Sequence, residues 1–182
     1  MKASPYIYIY LFGDVEDWID TEEVGRVIQE EFRYPLKITS SEIDPQIAYD
    51  DSRSQYYSTK ILKEMLSHLP NDALRAVGIV SFDLFIPILT FVFGEAQLNG
   101  KVGIVSIFRL RQEYYGLPPN PPLLHRRLIK EIKHELGHTF GLIHCPKREC
   151  IMSVANNVMD VDSKGMDFCK DCKDLLERNR KG

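Results

Sequence analysis

Three of the chain's five histidines, His134, His138 and His144, fall within a span of eleven residues. His134 and His138 are four apart, so on a helix their rings project from one face and can reach the same cation. Glu135 is rotated away from that pair by one residue and reaches a water on the cation rather than the cation itself. Gly141 suits the left-handed position that ends a helix, and a turn there lets the chain swing back so that His144 completes a three-histidine site. Three protein ligands with the fourth position open is the arrangement of a catalytic zinc. Such an ion brings the pKa of its water toward neutrality and stabilises the oxyanion of a peptide carbonyl. Glu135 would take the proton from the water and pass it to the departing amine. The other two histidines, His68 and His125, have no such neighbours and are expected to be ordinary surface or core residues.

The four cysteines, Cys145, Cys150, Cys169 and Cys172, all follow in the last quarter of the chain. In a reducing compartment they are metal ligands or free thiols rather than disulfides. Residues 134–144 spell HExxHxxGxxH, the signature of the metzincin clan, and the cysteines narrow the likeness. Cys145 directly follows the third histidine, Cys150 stands two residues before Met152, and Cys169 and Cys172 close a pattern that resembles the archaemetzincins. The resemblance implies a zinc metallopeptidase, a methionine turn in which Met152 runs beneath the metal, and a second zinc bound by the four cysteines. The chemistry of those cysteines agrees. Two thiolate pairs, one with a four-residue and one with a two-residue spacer, make a closed tetrahedral shell with no open position. Four thiolates and one dication leave a local charge of about −2, so Lys147, Arg148, Lys170 and Lys173 are suitable neighbours.

A site of this kind needs a helix, a turn and a sheet to lean on. Leu124, Leu128, Ile132, Leu136 and Phe140 mark the buried stripe of a long helix that starts near Pro122 and ends at Gly141. Ahead of it, residues 6–12 read as a buried strand. Asp20 with Glu23 is a capping box for a helix carrying Val24, Val27, Ile28 and Phe32, and residues 36–39 are a second strand. Ser52 with Gln55 reads as another capping box, opening a helix whose apolar face runs through Tyr57, Ile61, Leu62, Met65, Leu66 and Leu69 to Pro70. Residues 76–82 and 91–96 read as strands three and four. Asn99-Gly100 separates the fourth from a fifth over residues 102–108, which marks an antiparallel hairpin. Residues 111–122 are turn-rich, with a mobile look around Gly116, Pro118 and Pro119.

The expected fold is therefore α/β, or α+β by some schemes. It has a metzincin-like twisted, mixed five-stranded sheet with one antiparallel edge strand, two packing helices plus the active-site helix, and a small zinc-stapled C-terminal subdomain. Residues 1–182 form one catalytic domain, with 1–141 as the upper part ending in the active-site helix and 142–182 as the lower part. An extended peptide would pair with the edge of the fourth strand, where Phe93 or Glu95 is the side chain placed to meet it.

Composition removes other classes. A chain of 182 residues, 44% of them hydrophobic, suits one well-buried domain. A net charge of −3 argues against a general nucleic-acid binder, and with it against a zinc ribbon built on the cysteines alone. The apolar run at 6–12 is short, rich in tyrosine and followed by Asp14, Glu16 and Asp17, unlike a signal peptide. The apolar stretch 76–94 is interrupted by Asp83 and Pro87, and a charge near the middle of a membrane span costs about 2.5–3.5 kcal/mol. It reads as two core strands, no membrane partner is expected, and the cytoplasm is the expected compartment. Met1 is only a few residues from the first strand, so no propeptide is expected, and control falls to compartment, substrate access or the 111–122 loop. The expected function is a zinc metallopeptidase acting on peptide or protein substrates. The alternative is a binding module that keeps both zinc sites and cleaves nothing.

Overall fold

The computed structural model describes residues 5–181, so Met1 lies outside it. Strand β1 (Tyr6–Leu11) alternates strictly, with Ile7, Ile9 and Leu11 on one face of the sheet and Tyr8 and Tyr10 on the other. Helix α1 (Thr21–Phe32) starts as its capping signal predicts, the Glu23 amide donating to the Asp20 carboxylate at 2.9 Å. The Glu23 carboxylate does not close the box and lies instead 3.0 Å from His125 Nε2, in contact with it but off the hydrogen-bond direction. Val24, Ile28 and Phe32 are buried against the Ile7 face, each worth about 1.5–3 kcal/mol of hydrophobic stabilisation. The crossover returns as β2 (Leu36–Ser40), parallel to β1.

The next segment departs from the sequence expectation. The Asp50 carboxylate accepts from the amides of Ser52 and Arg53, Ser54 takes a positive φ of 52°, and the chain turns into a hairpin of β3 (Tyr49–Asp50) and β4 (Gln55–Tyr57). Gln55 is no capping residue: its buried amide donates to Asp83 and to the Thr90 carbonyl. Helix α2 (Ser58–Ser67) consequently begins five residues later than a cap at Ser52 suggests, with Ile61, Leu62 and Met65 on the Tyr8 face and Leu66 left exposed.

Strand β5 (Ala73–Val80) is the buried third strand and lies parallel to β1. Between the strands that the sequence indicates at 76–82 and 91–96 the chain makes a further one, β6 (Leu84–Phe85), which joins β4 and β3 in a separate three-stranded sheet. Asp83 turns away to hold Arg109 through two bonds of 2.7 and 2.8 Å, and the loop through Pro87 projects outward with Ile88 exposed. Only then come β7 (Gly94–Ala96) and, across the Asn99-Gly100 turn, β8 (Val102–Ser106). The main sheet runs β2-β1-β5-β8-β7, parallel throughout except for β7, the antiparallel edge.

Residues 111–122 contain a short 3-10 turn, Gln112–Tyr115, closed by Gly116 at φ 74°. Helix α3 (Pro121–Thr139) follows, its first turn capped by Asn120 and Leu124, Leu128, Ile132 and Leu136 buried against the sheet. Beyond it lie α4 (Val158–Ser163) and α5 (Lys170–Lys181), neither of which periodicity had indicated. The α4 region is fastened to α3 by charge as well as by the buried Val161. Arg127 donates twice to Asp162 at 2.7 Å, Lys130 reaches the carbonyls of Val161 and Asp162, and Lys133 reaches that of Met166. Helix α5 docks through polar ends, Asn179 donating to the Phe140 carbonyl and Arg180 to that of Phe32.

Candidate active site

Helix α3 ends two residues before Gly141, whose φ of 87° is the left-handed position that the sequence called for. The Gly141 amide donates to the His138 carbonyl and the Leu142 amide to that of Gly137, a pair of bonds that reverses the chain. His144 is thereby carried back over the helix. The ring centroids of His134, His138 and His144 lie 4.6, 4.8 and 5.3 Å apart in pairs, and one nitrogen of each falls within 4.8 Å of the others.

The tautomers are fixed by the backbone. His134 Nδ1 donates to the Ile151 carbonyl at 2.9 Å and His138 Nδ1 to that of Leu142 at 2.7 Å. Both Nε2 atoms are then lone-pair acceptors, and they face each other at 3.0 Å. Two acceptors at that distance repel unless a cation lies between them, so this donor set fits a metal. Burial, with help from Lys164 and His138, holds the His134 imidazole well below its ordinary pKa; burial does the same, less strongly, for His138 and His144. All three are kept in the neutral form that a metal requires.

Glu135 is buried beneath the edge hairpin. Burial lifts its carboxyl well above the usual carboxylate range, with the Glu131 charge adding and Lys164 opposing. A dication held by the neighbouring histidines would draw it back toward the ionised form that can accept a proton. The room for it comes from Gly94 on β7: a Cβ there would stand 2.6 Å from Glu135 Oε1 and 2.6 Å from the Ile104 carbonyl oxygen. Gly94→Ala should therefore destabilise the protein by about 1–3 kcal/mol through overpacking, read as a shifted urea midpoint. An unshifted midpoint would mean that the hairpin yields freely. On the other side, a Cβ at Gly137 would lie 2.6 Å from Met152 Sδ, so the methionine packs directly against the helix that carries the histidines. Met152 is fully buried.

Cys145, Cys150, Cys169 and Cys172 are all free thiols, and their sulfurs also gather within 4.8 Å of one another. The Cys169 amide donates to Cys150 Sγ. The Cys172 amide, foremost among several contacts, brings the Cys169 thiol down to about 7, whereas burial pushes Cys150 and Cys172 up. Of the expected basic neighbours, Lys147 is bonded to Asp171 at 2.7 Å and Lys170 to Asp174 at 2.6 Å, so their charges are shared with carboxylates rather than reserved for sulfur. Residues 150–152 run between the two clusters: Cys150 is in one, the Ile151 carbonyl holds His134, and Met152 lies under α3.

A cleft of about 320 Å³ opens beside the histidines, lined by Phe91, Phe93 and Gly94 above, by Val154 and Asn156 below, and floored by Glu131 and Lys164. Phe93 thus faces the cleft. Glu95 does not: its carboxylate is held by the hydroxyls of Ser58 and Thr59 at the start of α2, which removes it as a substrate contact. Glu131 could have been noticed, because it continues the face of His134, Glu135 and His138 one turn back; Lys164 gave no signal in the sequence.

Residues 9–178 match the profile of peptidase family M54. The chain belongs to that family. The archaemetzincin of Methanocaldococcus jannaschii is 41% identical over 176 residues, covering 94% of this chain and 92% of that one. Among solved structures, the archaemetzincin of Methanopyrus kandleri superposes with a TM-score of 0.85 at 34% identity, covering 100% of this chain and 99% of that one. A zinc-dependent peptidase from Methanocorpusculum labreanum gives 0.81 at 29%, covering 93% and 99%. Membership in M54 makes the protein a peptidase, and among its described residues no helix is long and apolar enough to cross a membrane.

Proposed function

We propose that this M54 chain hydrolyses peptide bonds with zinc held by His134, His138 and His144 and with Glu135 as the proton carrier. A second, structural zinc would be held by Cys145, Cys150, Cys169 and Cys172. The reading rests above all on the two facing Nε2 atoms, 3.0 Å apart, whose rings have already spent their other nitrogen on backbone carbonyls. The zinc supplies Lewis acidity, acidifying a water and polarising the scissile carbonyl. Glu135 accepts the proton of that water as its oxygen adds to the carbonyl carbon, and then delivers it to the amine nitrogen as the C–N bond breaks. The outer edge of β7 offers backbone groups to an extended substrate. Residues 1–141 and 142–182 would then be the two walls of one catalytic domain, and thiolates needed as ligands suit a reducing compartment such as the cytoplasm.

Metal-replete protein should hold two zinc ions per chain and cleave members of a diverse peptide library. A chelator should stop cleavage first and remove the cysteine-bound ion later, because its shell is closed and coupled to folding. Intact peptides after prolonged incubation would favour a module that binds without cutting. A single metal at saturation, with all four thiols titratable, would remove the structural zinc.

A further inference from the structure

The cleft holds two charges that the hydrolytic step leaves unused. Glu131 and Lys164 bring their charged ends to 2.8 Å with side chains only 4% and 1% exposed. The nearby buried cations of α3 are saturated: Arg127 makes two bonds to Asp162 and one to the Leu110 carbonyl, and Lys130 and Lys133 each bond backbone carbonyls. The Glu131–Lys164 pair is different. The 2.8 Å contact runs from Lys164 Nζ to Glu131 Oε1 but lies off the hydrogen-bond direction, so Oε1 has a charge partner and, among the described residues, no aligned donor. The further bond of the Lys164 ammonium is to the Ser153 carbonyl at a long 3.5 Å. A buried ion pair whose hydrogen bonding is incomplete is costly, and this one lines the same cavity as His134, Glu135 and His144.

We infer that Glu131 and Lys164 form the floor of a substrate side-chain pocket and select a neutral, hydrogen-bonding residue, glutamine or tyrosine in type, beside the scissile bond. This rests on the peptidase reading of the same cleft. Phe91, Phe93 and Val154 give the pocket apolar walls for the stem of such a side chain, and about 320 Å³ accommodates either. The tip donates to the Glu131 carboxylate and accepts from the Lys164 ammonium. An apolar side chain leaves the pair with its hydrogen bonding incomplete, and a charged one brings a net charge into a site whose two charges cancel.

The test uses zinc-loaded protein and peptides that differ only at the residues flanking the cleaved bond, carrying Gln, Tyr, Leu, Glu or Lys in turn. At one of the two positions Gln and Tyr should exceed the others by about tenfold or more in kcat/KM. Glu131→Gln leaves the Lys164 charge uncancelled and should move the preference to Glu. The double variant Glu131→Leu with Lys164→Met removes both charges without stranding either, so it serves if the single variant does not fold, and should move the preference to Leu. Calorimetric binding of the same peptides to Glu135→Gln protein should give the same rank order without turnover. Cleavage with no preference, or a preference that neither variant moves, would overturn the pocket while leaving the peptidase reading intact. Ranked binding without cleavage by the parent would do the reverse, and neither binding nor cleavage would remove both.

Discussion

Glu135→Gln protein should keep its zinc and lose peptide hydrolysis by about 10²-fold or more, the lower end of what a positioned acid–base group contributes. The substitution is close to isosteric, so the space that Gly94 leaves beneath the hairpin stays filled and the fold has no cavity to accommodate. His134 and His138 keep their bonds to the carbonyls of Ile151 and Leu142, which do not involve Glu135. What disappears is a carboxylate able to accept a proton. Zinc content by atomic absorption and turnover by peptide mass spectrometry read the two quantities separately. A variant that cleaves as fast as the parent would show that another group carries the proton. A variant that has lost its zinc would show that Glu135 serves the metal rather than the reaction.

Cys172→Ser should have the largest effect on stability. The thiol sits in the first turn of α5, and the cluster it completes joins that helix to residues 145–150. Structural zinc binding is worth about 10–16 kcal/mol in small isolated domains, where it is also the folding energy. Here α5 has other anchors, Leu176 in the core and the bonds from Asn179 and Arg180, so a loss of several kcal/mol is expected rather than the whole. Denaturant midpoints and metal content would report it together. An unchanged midpoint with one zinc fewer would mean that the cysteine site holds metal without holding the fold.

The parts of the molecule that could be read in advance are those with long or chemically strict patterns. The apolar stripe from Leu124 to Leu136 on α3 with Phe140 at its cap, the Asn99-Gly100 hairpin and the turn at Gly141 each follow from a local rule and were found where expected. The gathering of the three histidines and of the four cysteines was legible because such residues at such spacings have few other uses. The failures have physical causes. Ser52 and Gln55 spell a capping box, yet the Asp50 carboxylate takes the Ser52 amide that Gln55 would have capped, and a tertiary bond to Asp83 claims the Gln55 side chain. Strands of two or three residues such as β3 and β6 are too short to show a period. Helix α4 is six residues long, too short to show a helical period, and charged contacts from α3 supplement its one buried residue, Val161. Glu95 was offered as a substrate contact on the strength of its strand, and only the position of α2 shows where its carboxylate goes.

The three residues Cys150, Ile151 and Met152 touch both clusters within the length of a tripeptide. On the proposed assignment, the two metal affinities cannot be independent constants. An ion among the cysteines fixes the peptide unit whose carbonyl orients His134, and an ion among the histidines fixes that same unit from the other side. Linkage makes the effect reciprocal: whatever factor the first ion adds to the affinity for the second, the second returns to the first. Loading would then follow an order, the closed shell filling first and presenting a pre-set imidazole to the open one. The concentration of free zinc at which hydrolysis switches on would be set in part by four thiols that never meet the substrate.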